Sequence, residues 1–155
     1  MVELIERFEA FTTSVTKAYK CIQKIKLAET ERMGLKANHV MYLYHLGKNP
    51  EGLTAKELCK LCIEDKAAVS RVIVDLTNKG FVKPSEMDSG RKYRTKIVLT
   101  PEGYERNKQL NEAIAMAVSK ASSRLNEDDR ENFYRVFFDI TDNLETICDS
   151  YGWRK

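Results

Sequence analysis

The sequence predicts a mainly α fold with one small β hairpin set between helices. Three observations carry that expectation. Apolar residues recur at alternating four- and three-residue spacings near both ends of the chain. Capping residues open short helices in the middle. Two brief apolar runs, near residues 81 and 97, flank a polar, turn-rich stretch.

The first helix is marked by Leu4, Phe8, Phe11, Val15, Ala18, Ile22 and Ile25, a sustained seam along one face. A lone helix cannot bury such a seam, so it demands a packing partner. Gly34 breaks the pattern. A second helix is expected over roughly 37–47, with Val40, Met41, Leu43, Tyr44 and Leu46 wholly or partly inward. Asn49-Pro50-Glu51-Gly52 reads as a turn.

Thr54-Ala55-Lys56-Glu57 has the form of a capping box: the Thr54 hydroxyl accepts from the Glu57 N–H, and the Glu57 carboxylate reaches back. Leu58, Cys59, Leu61 and Cys62 give this short helix its apolar side. Asp65 suits the N-cap of the next helix, which runs to about Lys79 and is stopped by Gly80. Its inward positions are Val69, Val72, Ile73 and Leu76. Strand candidates follow at 81–83 and 96–99, joined through the turn around Asp88-Ser89-Gly90. Thr100-Pro101-Glu102 opens a long helix carrying Leu110, Ile114, Ala117 and Ala121. Leu125-Asn126 interrupts it, and Asn126 with Asp129 caps a last helix with a second seam of Phe133, Phe137, Ile140, Leu144 and Ile147. The sequence holds no internal repeat.

Bulk properties narrow the function. A chain of 155 residues suits one domain, or one domain with an elaborated helical part. No stretch approaches the roughly 18 consecutive apolar residues of a membrane span, and no partner in a membrane is expected. The N-terminus lacks the basic start of a signal peptide. Cys21, Cys59, Cys62 and Cys148 are too few for a disulfide scaffold, which points to a cytoplasmic protein with reduced thiols. Between residues 54 and 100 lie ten Lys/Arg against six Asp/Glu, a net +4, which leaves −1 for the rest of a chain of net charge +3. All of the positive excess thus sits in one segment, as neutralising phosphates would require.

That segment reads as two helices, a turn and a basic hairpin, an order suited to gripping double-stranded DNA. In such an arrangement the second helix enters the major groove. With Val69, Val72, Ile73 and Leu76 inward, its outer face carries Lys66, Ala67, Ser70, Arg71, Val74 and Asp75. Arg71 is the candidate for a two-pronged contact to guanine, and Ser70 for a base or a phosphate. Ala67 and Ala68 are small enough to admit a close approach and to touch a thymine methyl. Asp75 has the wrong charge for the groove and reads as orienting a neighbouring cation or as solvated. Arg91, Lys92, Arg94 and Lys96 crowd the hairpin, where an arginine can enter a narrow minor groove. Lys83, Lys96 and Thr54 complete the set of candidate contacts. No paired carboxylates, nucleophile-and-base set or phosphate loop suggests an enzyme, and no cofactor is expected.

Met33-Gly34-Leu35, LTAKEL at 53–58, AAVSRVIVDLTNKGFV at 67–82, the Asp88-x-x-Arg91 tip and VLTPEG at 98–103 occur in one order at one spacing. Together they resemble the MarR family of winged helix-turn-helix regulators over nearly the whole chain. The resemblance implies a mainly α fold with a small β wing, in which 35–100 form the winged helix-turn-helix DNA-binding domain. It implies that 1–34 and 101–155 form flanking dimerisation helices, since members are dimers whose first and last helices interlock. A ligand-responsive repressor on a pseudo-palindromic operator is the implied function, in a bacterial or archaeal cytoplasm. Two departures stand out. Ile63 and Glu64 occupy a turn where the family usually has a glycine and an apolar residue, and the wing arginines lie about one residue off the common spacing.

Family effectors are small anionic or phenolic molecules bound between the dimer helices and the reader. By position Tyr19, His39, Tyr42 and Tyr44 could line such a pocket, or serve as ordinary interface residues. Cys59-x-x-Cys62 reads as core packing, because the single nearby His45 completes no zinc site and no metal is expected. His39 and His45 face about 120° apart on one helix and are poor partners for a metal. The alternative function is a thiol-based redox-sensing regulator of the same fold, with Cys21 as its reactive group.

Overall fold

A computed structural model describes residues 1–85 and 95–152. Among these residues the chain forms α1 (Val2–Glu31), α2 (His39–Lys48), α3 (Ala55–Cys62), α4 (Lys66–Asn78), β1 (Val82–Pro84), β2 (Ile97–Leu99), α5 (Pro101–Ala121) and α6 (Glu127–Ser150). The chain divides into two compact units, 1–115 and 116–155, so the boundary falls inside α5.

The first unit holds the core. Leu43, Leu46, Leu58, Val69 and Leu76 are essentially inaccessible, and Leu53, Val72, Phe81, Val82, Leu99 and Leu110 are buried around them. Helix starts are written in side chains. Glu57 N–H donates to Thr54 Oγ1 (3.3 Å) while Glu57 Oε2 accepts from the Thr54 N–H (2.7 Å), the expected capping box. Asp65 Oδ1 accepts from the Ala68 N–H at 2.7 Å and starts α4. That helix ends in a Schellman motif: Gly80 takes φ +76°, its N–H donates to Thr77 O, and the Phe81 N–H reaches Leu76 O. Phe81 therefore belongs to the cap rather than to the strand, which shifts β1 one residue beyond the expected 81–83.

β1 and β2 pair antiparallel, Val82 with Leu99 and Pro84 with Ile97. A separate bridge comes from Leu53, whose N–H and carbonyl bond the carbonyl and N–H of Ile97 at 3.0 and 2.8 Å. No local pattern around Leu53 announces this bridge. α5 starts against the same sheet: Thr100 Oγ1 accepts from the Gly103 N–H and donates to Gly80 O, while the Thr100 N–H donates to Phe81 O. α2 begins two residues later than expected, because residues 36–38 form a turn closed by His39 N–H to Lys36 O (2.9 Å).

Ile63 supplies the turn between α3 and α4 in the left-handed conformation, φ 56° and ψ 46°, the only such non-glycine among the described residues. Its Cβ branch makes that backbone unfavourable by about 1–2 kcal/mol, and the side chain is mostly exposed. Replacing Ile63 by Gly relieves the strain while adding about 0.5–1 kcal/mol of unfolded-chain entropy. The expected net result is a melting temperature about 2–4 °C higher, read by circular dichroism. A fall in melting temperature would show that the side chain packs usefully there.

The second unit has no buried residue in 116–152. Asn126 Oδ1 accepts from the Asp129 N–H at 2.7 Å and opens α6, whose Phe133 and Phe137 rings stack 5.6 Å apart. Phe133 is 54% exposed and Leu144 44%. In the first unit the α1 seam is equally open, with Phe8 at 66%. Both apolar seams are uncovered in the single chain.

Candidate nucleic-acid interface

α4 divides cleanly into two faces. Val69, Val72 and Leu76 are buried and Ile73 half-buried, so the helix is anchored along one stripe. Lys66, Ala67, Ser70, Arg71 and Val74 are exposed on the other, with Ala68 half-buried at the margin. The helix-turn-helix order therefore presents the residues expected to meet DNA on a solvent-facing surface. Thr54 is half-buried and its hydroxyl is engaged with Glu57, which makes it a cap first. Lys83 is exposed on β1, opposite Val98, and Lys96 is half-buried just before β2. Arg91, Lys92 and Arg94, with the Asp88 tip, lie outside the described residues.

Asp75 does not face solvent alone. Lys36 Nζ stands 2.7 Å from its Oδ2, and His39 Nε2 stands 3.1 Å from the same oxygen. The Lys36 contact holds the Asp75 carboxyl below the usual carboxylate range, with His39 and Lys79 adding to that effect. His39 itself is buried. Its Nδ1 accepts from the Lys36 backbone N–H at 3.2 Å, which leaves the ring proton on Nε2, toward Asp75. The sequence pointed to a neighbouring cation for Asp75 but not to Lys36, which lies 39 positions away and only folding brings near.

His39 and Tyr42 line one cleft of about 380 Å³ together with Lys36, Asn38, Glu64, Ala68, Arg71, Val72 and Asp75. Tyr42 is buried, and its hydroxyl has no hydrogen-bond partner among the described residues. Tyr19, 62% exposed on α1, does not line this cleft. Neither does Tyr44, which packs its ring edge on His45 and lies under Lys48. The four candidate effector residues are thus split into a pair at the reader and two elsewhere.

Cys59 and Cys62 are half-buried against the core, and burial pushes the Cys62 thiol up to about 11. Cys21 is exposed on α1, beside Lys17, Lys20 and Lys24. Among the described residues no group of His, Cys, Asp and Glu is placed to hold a metal ion.

Burial lowers the pKa of both His39 and His45 from the ordinary 6.5; for His39 it outweighs the attraction of Asp75. Both rings therefore take up a proton at lower pH in the folded chain than in the unfolded one. This contribution to stability is present well above pH 6.5 and is lost as pH falls through 6.5 toward the lowered folded value, by at most about 1.4 kcal/mol per ring per pH unit. Urea midpoints at pH 7.5 and 5.5 measure this. An equal midpoint at the two values contradicts it.

Residues 33–89 match the model of the MarR family. The fold is shared with a MarR-family transcriptional regulator from Listeria monocytogenes crystallised with a 26mer DNA, at TM-score 0.80 and 14% identity, over 93% of this chain and 96% of that one. The transcriptional regulator SlyA superposes at TM-score 0.80 and 18% identity, over 91% and 98% of the two chains. A MarR transcriptional regulator from Methanosarcina mazei Go1 does so at TM-score 0.76 and 17% identity, over 89% and 99%. At these identities the likeness establishes the fold. No curated protein sequence matches the chain. Among the described residues no helix is long and apolar enough to cross a membrane.

Proposed function

We propose that this chain, a winged helix-turn-helix protein of the MarR family, is a homodimeric transcriptional regulator that binds duplex DNA through the outer face of α4. One observation carries the reading: Lys66, Ser70 and Arg71 stand exposed on a helix that Val69, Val72 and Leu76 anchor from behind. The charge distribution supports it, since the +4 of residues 54–100 supplies the whole positive excess. The Listeria monocytogenes protein of the same fold was crystallised with DNA, which suits the same use here.

The open seams of α1 and α6 support a second copy as partner. A two-fold dimer implies a pseudo-palindromic operator with half-sites roughly 34–36 Å apart, or a multiple of that. The regulator works in the cytoplasm as a repressor, released by a small anionic or phenolic effector. The effector acts by favouring dimers whose reading helices no longer match the two half-sites. The cleft beside α4, with its unpartnered Tyr42 hydroxyl, supports a ligand at the reader.

Selection of duplexes from a random-sequence pool tests the core of this reading. The expected outcome is a palindromic consensus whose affinity falls linearly in log–log form with salt, as counterion release requires. Failure to enrich any duplex, or an affinity indifferent to salt, rejects it.

A further inference from the structure

Arg71 and Asp75 are four residues apart on α4 and share one stripe of the helix. At that spacing an arginine and an aspartate are surface neighbours within reach of each other. Here they do not pair. Asp75 is turned toward Lys36 and His39, and Arg71 has no ion-pair partner among the described residues. We infer that Lys36 and His39 keep Asp75 away from Arg71 and so leave the Arg71 guanidinium free to read a base.

The geometry gives this arrangement its direction. Lys36 acts twice, through its ammonium 2.7 Å from Asp75 Oδ2 and through a backbone N–H that orients the His39 ring. The ring is 1% exposed, so it is held by packing, with Nε2 3.1 Å from the same carboxylate oxygen. The remaining charges around Asp75 are Lys79, four residues on, which attracts it without pairing, and Glu64 and Arg71, which line the same cleft. A two-pronged guanine contact uses the whole fork of an arginine. Were Asp75 to engage Arg71, that fork would be occupied and a carboxylate would stand close to the phosphates. Lys36 and His39 are thus positioning residues that act on Arg71 through Asp75, and neither has to touch DNA.

This rests on the DNA-reading role of α4, and a rescue experiment separates the two. The probe is a fluorescein-labelled duplex that the wild-type chain selects from a random pool, titrated by anisotropy. Lys36→Met keeps the aliphatic stem and removes the charge; the released carboxylate then turns to Arg71. The expected loss is about 1.5- to 2.5-fold in affinity, the scale of one exposed pair four residues apart. Asp75→Asn keeps the size of the side chain, removes the competing charge and binds no more weakly than wild type. The double variant regains wild-type affinity.

Three results overturn the inference while leaving DNA binding intact. Lys36→Met binding as tightly as wild type shows that Asp75 never competes. A loss that persists in the double variant makes Lys36 itself a phosphate contact. Weaker binding by Asp75→Asn alone makes the cluster a mere brace for α4. A wild-type chain that selects no duplex removes the reading role of α4, and this inference with it.

Discussion

Arg71→Ala is expected to weaken binding to the selected operator by roughly 1–3 kcal/mol. Exposure of Arg71 on the free face of α4, with its neighbour Asp75 drawn toward Lys36, is the basis of that figure. The loss should fall mainly on the specific complex, because a base contact discriminates while a phosphate contact does not. Lys66→Ala, at the start of the same helix, should instead weaken specific and non-specific duplexes alike and lower the salt slope by about one. Anisotropy titrations on the operator and on a scrambled duplex distinguish these outcomes. If both affinities survive Arg71→Ala, α4 is not the reading helix.

Gly103→Ala should destabilise the first unit by about 3 kcal/mol, near the upper end of the range for forced overpacking. Helix propensity alone predicts the opposite sign, since Ala is favoured over Gly by about 1 kcal/mol inside a helix. The contact decides. A Cβ on residue 103 would stand 2.0 Å from the Phe81 carbonyl oxygen and 3.0 Å from its carbon. Those are backbone atoms, and the oxygen is already bonded to the Thr100 N–H, so neither can step aside cheaply. For a chain of this size the melting temperature should drop by roughly 6–12 °C. A gain in stability would mean that the α5 start and β1 are less closely packed than described. Arg71 and Gly103 both lie in the first unit and share no partner among the described residues, so the two effects are independent.

Much of this fold was legible in the chain because much of it is local. Thr54 with Glu57, Asp65, Gly80 and Asn126 mark helix ends within three or four residues of the groups they satisfy, and the structure uses each in that role. The inward stripe of α4 was likewise set by periodicity. Long-range features were silent. The Leu53–Ile97 bridge joins residues 44 apart, and the Lys36–Asp75 pair joins residues 39 apart. Ile63 could be flagged as occupying a glycine position, but only the backbone shows that it takes the left-handed conformation despite its branched side chain. The tyrosines offered as one effector group separate because Tyr19 and Tyr44 point to different surroundings from His39 and Tyr42.

By itself, then, the sequence determined the order of helices and the wing strands, the caps, the outward face of α4 and the segment that carries the positive charge. Those follow from periodicities and short-range hydrogen bonds, which act over a few residues. The tertiary structure alone decided which charges meet at Asp75, why Gly103 must lack a side chain, and how Arg71 is left without an ion-pair partner among the described residues. These depend on where distant segments land once the core closes, and no local rule encodes that distance.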